Sequence, residues 1–97
     1  MLNSIRFQRI PDTLKQGGDS RSVFYRLMDE GLFTKPVKIS ERCAVHPIHE
    51  VEAILGARLG GATPDQLRNL VANLHERRKD YMPESMRSTA VSADDAA

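Results

Sequence analysis

One cysteine, no tryptophan and only five aromatic residues among 97 leave this chain few of the usual means of stabilising a small fold. A lone Cys43 cannot close a disulfide within one chain, so the stapled architectures of small secreted domains are set aside and a reducing, intracellular setting is expected. No apolar run approaches the roughly 20 residues of a membrane-spanning helix, and no apolar stretch of the kind that marks a secretory leader stands near Met1. Both absences point to the cytoplasm. Excess charge is missing as well, since 14 Lys and Arg stand against 13 Asp and Glu for a net charge of +1. That balance neither requires nor forbids a polyanionic partner, so the placement of the charges has to decide. There is no G-x-S-x-G, no phosphate-cradling P-loop and no H-E-x-x-H, and His49-Glu50-Val51-Glu52 is not a form of the last. An enzyme is not expected, and no cofactor is implied.

What remains is a chain long enough for one core and no more. No internal repeat of solenoid length fits. Split by position, the charge is uneven: residues 1–62 hold nine bases and seven acids, and the remainder holds five and six. Gly60, Gly61, Ala62 and Thr63 read as a joint, and the Ser/Ala/Asp-rich run from Pro83 has little to bury. We therefore expect a domain over residues 5–60, a C-terminal helix over residues 63–82 and a disordered tail over residues 83–97.

Within the domain, Pro11, Asp12 and Thr13 can start a short helix that Gly17 and Gly18 stop. Asp19 and Ser20 offer N-caps to a second helix running to Glu30, where Gly31 can take the left-handed conformation that ends it. At 100° per residue, Val23, Phe24, Leu27 and Met28 gather on one side of this helix, and Arg21, Ser22, Tyr25, Arg26 and Asp29 gather on the other. One face packs and the other reaches outward. Val37-Lys38-Ile39 and Cys43-Ala44-Val45, separated by Ser40-Glu41-Arg42, read as a hairpin that must lean on the helices, because an isolated two-stranded ribbon is unstable. Pro47 can start a third helix with Ile48, Val51, Leu55 and Leu59 along its inner side, although Gly56 weakens it. Thr63-Pro64-Asp65-Gln66 is a cap, a first-turn proline and a capping-box glutamine, launching a helix with Leu67, Leu70, Val71, Leu74 and Tyr81 on one stripe.

The fold class that follows is mainly α with a small β-hairpin wing: a winged helix-turn-helix plus a C-terminal helix. Such an order presents one helix to a DNA major groove while the hairpin reaches the neighbouring backbone or minor groove. Double-stranded DNA is the expected partner. With Ser20 at the helix start, Arg21 and Arg26 suit guanine or phosphate, Ser22 suits either, and Tyr25 suits phosphate or sugar, whereas Asp29 lower on the face would repel phosphate. Lys35 and Lys38 flank the first wing strand, and Arg42 sits at its tip, either to enter a narrow minor groove or to blunt an exposed strand edge. Together they supply roughly four to six phosphate contacts.

These residues carry a resemblance. The string S-R-S-x-x-Y-R-L-x-x-E-G-x-F-x-K-P-V-K from Ser20 to Lys38, preceded by Ile10-Pro11 and followed by Glu50-Val51-Glu52-Ala53, resembles the AlpA family of small winged-helix prophage regulators and excisionases, of the MerR/excisionase type. The likeness covers about residues 9 to 58. It implies sequence-selective DNA binding by proteins of mobile elements that either steer a site-specific integrase toward excision or control transcription. The chain departs from the family where Thr13, Gln16 and Asp19 replace usual apolar residues, which predicts a weakly amphipathic first helix and a looser turn, and where His46 replaces a frequent tryptophan after the wing.

Other readings compete at particular residues. Cys43, His46, His49 and Glu50 have a spacing that invites a metal, but a strand running into a helix start does not bring them together, so no metal site is expected. His75, beside Glu76-Arg77-Arg78-Lys79, reads as a charged helix border in which Arg77, Arg78 and Lys79 can graze phosphate. The stripe Leu67, Leu70, Val71, Leu74 and Tyr81 can pack on its own domain, support self-association of copies on DNA, or dock on a protein partner. The functions to separate are thus an excision factor that binds attachment-site DNA cooperatively and bends it, a transcription regulator, and a protein adaptor acting through the last helix.

Overall fold

Strand β1 (Phe7–Arg9) runs directly into helix α1 (Ile10–Gly17), and a tight turn leads to helix α2 (Arg21–Asp29). Strands β2 (Val37–Ser40) and β3 (Cys43–Pro47) form the hairpin, and helices α3 (Ile48–Leu59) and α4 (Pro64–Arg77) follow, with a 3-10 turn over Arg78–Tyr81. This computed structural model describes residues 5–86. Its architecture is the winged helix-turn-helix with a C-terminal helix that the order of elements predicts. Residues 83–86 add one turn, in which the Met86 N–H donates to the Pro83 carbonyl (2.9 Å), while residues 87–97 of the expected tail lie outside the described residues.

Local chemistry sets the ends of the two N-terminal helices. Gly18 has φ 75°, and its N–H closes α1 on the Leu14 carbonyl at 2.8 Å. Only glycine enters that region without a steric cost. Two residues on, the Ser20 hydroxyl accepts from the Val23 N–H (3.3 Å) and caps α2. At the far end Gly31, with φ 77°, allows the Leu32 N–H to reach the Leu27 carbonyl (2.8 Å) and its own N–H to reach that of Met28 (3.1 Å). This paired closure is a Schellman motif, and it stops α2 one residue short of the predicted Glu30.

The expected two-stranded wing is part of a three-stranded antiparallel sheet ordered β1-β3-β2. Phe7, Gln8 and Arg9 pair with Pro47, His46 and Val45, so β3 becomes a central strand and the ribbon gains the neighbour it needs. Gln8 and His46 are cross-strand partners and share the face turned toward the helices. From there Gln8 Nε2 donates to Thr13 Oγ1 (2.9 Å) and Gln16 Oε1 (3.0 Å), while Arg58 donates to Asp19 (3.4 Å). The three polar departures of the first helix and turn are thus each partnered. Thr13 is buried, and these bonds tie α1 down where apolar side chains would otherwise do so.

One apolar cluster unites Phe24 and Met28 of α2, Phe33, Val51 and Ile54 of α3, and Leu67, Val71 and Leu74 of α4. A capping box starts α4: Thr63 Oγ1 accepts from the Gln66 N–H (3.2 Å) and Gln66 Oε1 from the Thr63 N–H (2.8 Å). The inner side of α3 differs from the expected stripe. Ile48 and Leu55 are only half-buried and Leu59 is 90% exposed, because the inward residues are Glu50, Val51 and Ile54. The helix is rolled toward Glu50, whose carboxylate has a half-buried partner described below, and its last turn runs out past the core.

Candidate nucleic-acid interface

Helix α2 is seated by aromatic packing. The Phe24 ring meets Phe33 at 4.9 Å and His46 at 5.4 Å between centroids, and Phe33 and His46 are 5.4 Å apart, all edge to face. His46 thus reaches from the central strand into the aromatic cluster. Its Nε2 donates to the Thr34 carbonyl (2.9 Å), which leaves Nδ1 bare and buried with no partner among the described residues. Burial pushes the His46 pKa below 6.5, against the raising effect of that hydrogen bond and of the Glu50 charge.

With Phe24 and Met28 turned inward and Val23 and Leu27 half-buried, the opposite face of α2 is open. Ser20, Arg21, Ser22, Tyr25, Arg26 and Asp29 are exposed. The Tyr25 ring, 42% exposed, leans edge-on against Phe24 at 6.0 Å, so the residue is anchored at its base and free at its hydroxyl. In the wing, Lys35, Lys38 and Arg42 are exposed too. Lys38 pairs with Ala44, two residues from His46, so its side chain leaves the sheet on the face where α2 packs. Arg42 lies in the turn after β2, and a bulge between Lys38 and Ser40 bends that strand. Arg21, Arg26, Lys35, Lys38 and Arg42 make no side-chain hydrogen bond or ion pair with other described residues.

The C-terminal segment is built differently. Arg78 places Nε and Nη2 on the two oxygens of Glu50 (2.8 and 2.6 Å), and Nη2 also donates to the main-chain carbonyl of Lys35 (2.6 Å). Glu50 has no exposed surface at all. His75 Nε2 accepts from the Lys35 N–H (3.0 Å), which requires the neutral ring with its proton on Nδ1. Burial lowers the His75 pKa below 6.5, and the Arg78 charge lowers it further. Arg68 Nε donates to the Glu30 carbonyl (2.9 Å). His75 and Arg78 are therefore not a charged border grazing solvent. They hold the chain at the root of the wing. The only sequence signal for this was an acid, Glu50, flanking Val51 on the inner side of a helix.

Leu67, Val71 and Leu74 lie in the core and Leu70 is half-buried against it, so these side chains have little surface to offer a second copy. Tyr81 alone of that stripe is largely outside, 54% exposed and beside the His49 ring at 5.7 Å. The spacing Cys43, His46, His49, Glu50 gathers nothing, because His46 points into the aromatic cluster and Glu50 onto Arg78. No group of three His, Cys, Asp or Glu among the described residues could hold a metal ion. No helix among them is long and apolar enough to cross a membrane.

An exposed helix seated against a small antiparallel sheet defines the molecule as a winged helix-turn-helix. The family described as prophage CP4-57 regulatory protein (AlpA) matches residues 6–59, and the chain belongs to it. It is thereby a member of a family of prophage regulatory, DNA-binding proteins. No curated protein and no solved structure matches the chain.

Proposed function

We propose that this protein is an excision factor: it binds repeated sites beside the attachment site of a mobile element, bends the DNA and lets a site-specific integrase assemble for excision. The observation that carries the DNA-binding part is the unpaired state of the outward cations. A surface cation in no ion pair keeps its charge open to phosphate or a guanine edge, and among the described residues Arg21, Arg26, Lys35, Lys38 and Arg42 are five such groups on α2 and the wing. In this reading Arg21 and Arg26 read bases, Ser20, Ser22 and Tyr25 fix the helix on the backbone, Lys35 and Lys38 contact phosphates, and Arg42 enters the minor groove. Bending a short site costs on the order of 1 to 6 kcal/mol, which adjacent copies binding cooperatively can offset through phosphate contacts. With most of the α4 stripe interior, self-association on DNA would have to use the outer side around Tyr81.

A second reading, transcriptional control of the element's genes, is favoured by the regulatory description of the family. Purified protein mixed with its integrase and attachment-site DNA separates the two. Excision promoted at the expense of integration, with a footprint over repeats at the attachment region, is the expected result. A footprint confined to a promoter, with no effect on the direction of recombination, supports the regulator and rejects the excision factor.

A further inference from the structure

Three side chains of the C-terminal segment, all beyond the family-matched residues 6–59, bond to the main chain between α2 and the wing. Arg68 takes the Glu30 carbonyl, His75 the Lys35 N–H and Arg78 the Lys35 carbonyl. Between these holds, Phe33 and Thr34 are buried, so the connection is pinned from inside and outside. Arg78 has a second anchor in Glu50, which is interior and rigidly seated on α3. Its planar fork spans a carboxylate and a carbonyl at once, a geometry that the single ammonium of lysine does not reproduce. The residue it grips is itself one of the unpaired cations, and Lys38 follows three positions later.

We propose that Arg78 is a positioning residue for DNA recognition: bridging Glu50 to the Lys35 main chain, it sets the wing relative to α2 and makes the C-terminal segment part of the DNA reader. The inference rests on the DNA-binding reading above. Sites that read DNA work only when their groups are held to within a fraction of an ångström, and the wing root is where such support acts on Lys35 and Lys38 together.

The test is a double-mutant cycle on the full chain, using a duplex selected by the wild-type protein from a random pool and titrated across a salt series. In the wild type, Lys38→Ala is expected to flatten the salt slope by about one unit. Arg78→Lys, which keeps a positive charge beside Glu50, is expected to flatten it by about two, as Lys35 and Lys38 both leave the phosphates. Lys38→Ala then adds nothing in the Arg78→Lys background, while Arg26→Ala costs the same factor in both backgrounds. General weakening of the fold would not produce that selectivity. Equal effects of Lys38→Ala in both backgrounds overturn the proposal. Amide exchange of the free protein gives a readout without DNA: the Lys35 N–H is expected to exchange about tenfold faster in Arg78→Lys, and unchanged exchange also overturns it. If Arg78→Lys does not fold, Glu50→Gln, which removes the charge of the anchor and leaves the Lys35 N–H its His75 acceptor, carries the same two measurements. A wild-type chain that selects no duplex rejects the DNA-binding reading itself and the proposal with it, a failure told apart because it appears before any substitution is made.

Discussion

The arginines of this protein fall into two groups that chemistry treats in opposite ways. Arg21 and Arg26 on α2 stand in solvent with no partner among the described residues, whereas Arg58, Arg68 and Arg78 each reach a carboxylate, and the last two also reach a main-chain carbonyl. The same side chain thus serves as a free charge in one region and as a cross-strut in the other. A net charge near zero conceals this division, because the paired arginines reach Asp19, Asp65 and Glu50, while on the open face of α2 Asp29 stands exposed among the arginines. The difference teaches that stability and the proposed DNA affinity draw on different charges, which meet where Arg78 holds the Lys35 main chain.

The sharpest way to break this comparison is to remove a strut. Arg78→Ala leaves the Glu50 carboxylate interior and unpaired, and breaking a buried pair from one side costs about 3 to 5 kcal/mol. Arg78 is itself 27% exposed, so the lower end of that range is expected, read from urea unfolding followed by circular dichroism. A loss below about 0.5 kcal/mol would put Arg78 with the solvated charges and erase the distinction. The converse substitution, Arg26→Ala, is expected to leave unfolding within about 0.5 kcal/mol of wild type. Its cost falls on binding, about 1 to 3 kcal/mol with relaxed specificity at one base position. Competition titrations against single-base variants of the site check this, and uniform affinity across them would remove Arg26 from the base-reading set.

How far each region could be read in advance follows from the range of the interactions that make it. Everything that defines α2 is local: the Ser20 cap, the Gly31 closure and the alternation of Phe24 and Met28 with Tyr25 and Arg26 lie within a dozen residues. Its open face was therefore legible from periodicity, and so was the hairpin behind it. Strand β1 was not, because Phe7-Gln8-Arg9 has no strand signature of its own and becomes a strand only by pairing with β3. The inner side of α3 was misread for a similar reason. An acid among apolar positions looks like a surface residue until its partner Arg78 arrives from 28 positions downstream. His75 and Arg78 were hidden in a run of charges of which only these two turn inward, and no rule of sequence spacing says which members of such a run will do so.

The two histidines extend the comparison to pH, since each is neutral in the fold and each touches the Thr34-Lys35 segment between helix and wing. Both pKa values are lowered from 6.5, by burial first, while the unfolded chain titrates near 6.5. Above that value the two states bind equal numbers of protons and these groups add no slope. As pH falls below it, the unfolded chain takes up protons that the fold refuses, so stability declines until the lowered folded values are passed. One such histidine can add a slope of at most about 1.4 kcal/mol per pH unit within that window. Unfolding free energies between pH 7.5 and 5 would display it, and His46→Phe should flatten the curve whatever it does to absolute stability. A wild-type curve with no decline below pH 6.5 would contradict the neutral assignments.

The smallest expected effect gives the cleanest separation of the two properties. Gly56 sits inside α3 on its exposed side, and a β-carbon added there meets no atom within 4 Å. Its φ is not in the left-handed region, so alanine adopts the same backbone without strain. What alanine changes is the unfolded chain, which loses conformational freedom, and the helix, which gains a better former. Gly56→Ala is accordingly expected to raise stability by about 0.5 to 1 kcal/mol. Because position 56 touches neither the unpaired cations of α2 and the wing nor the struts of α4, affinity and salt slope for the selected duplex should stay at wild-type values. Parallel urea and DNA titrations of this one variant decide the matter. A stabilised protein with altered affinity would mean that the reader responds to the rigidity of the whole fold, and the division between free charges and struts would then be one of degree.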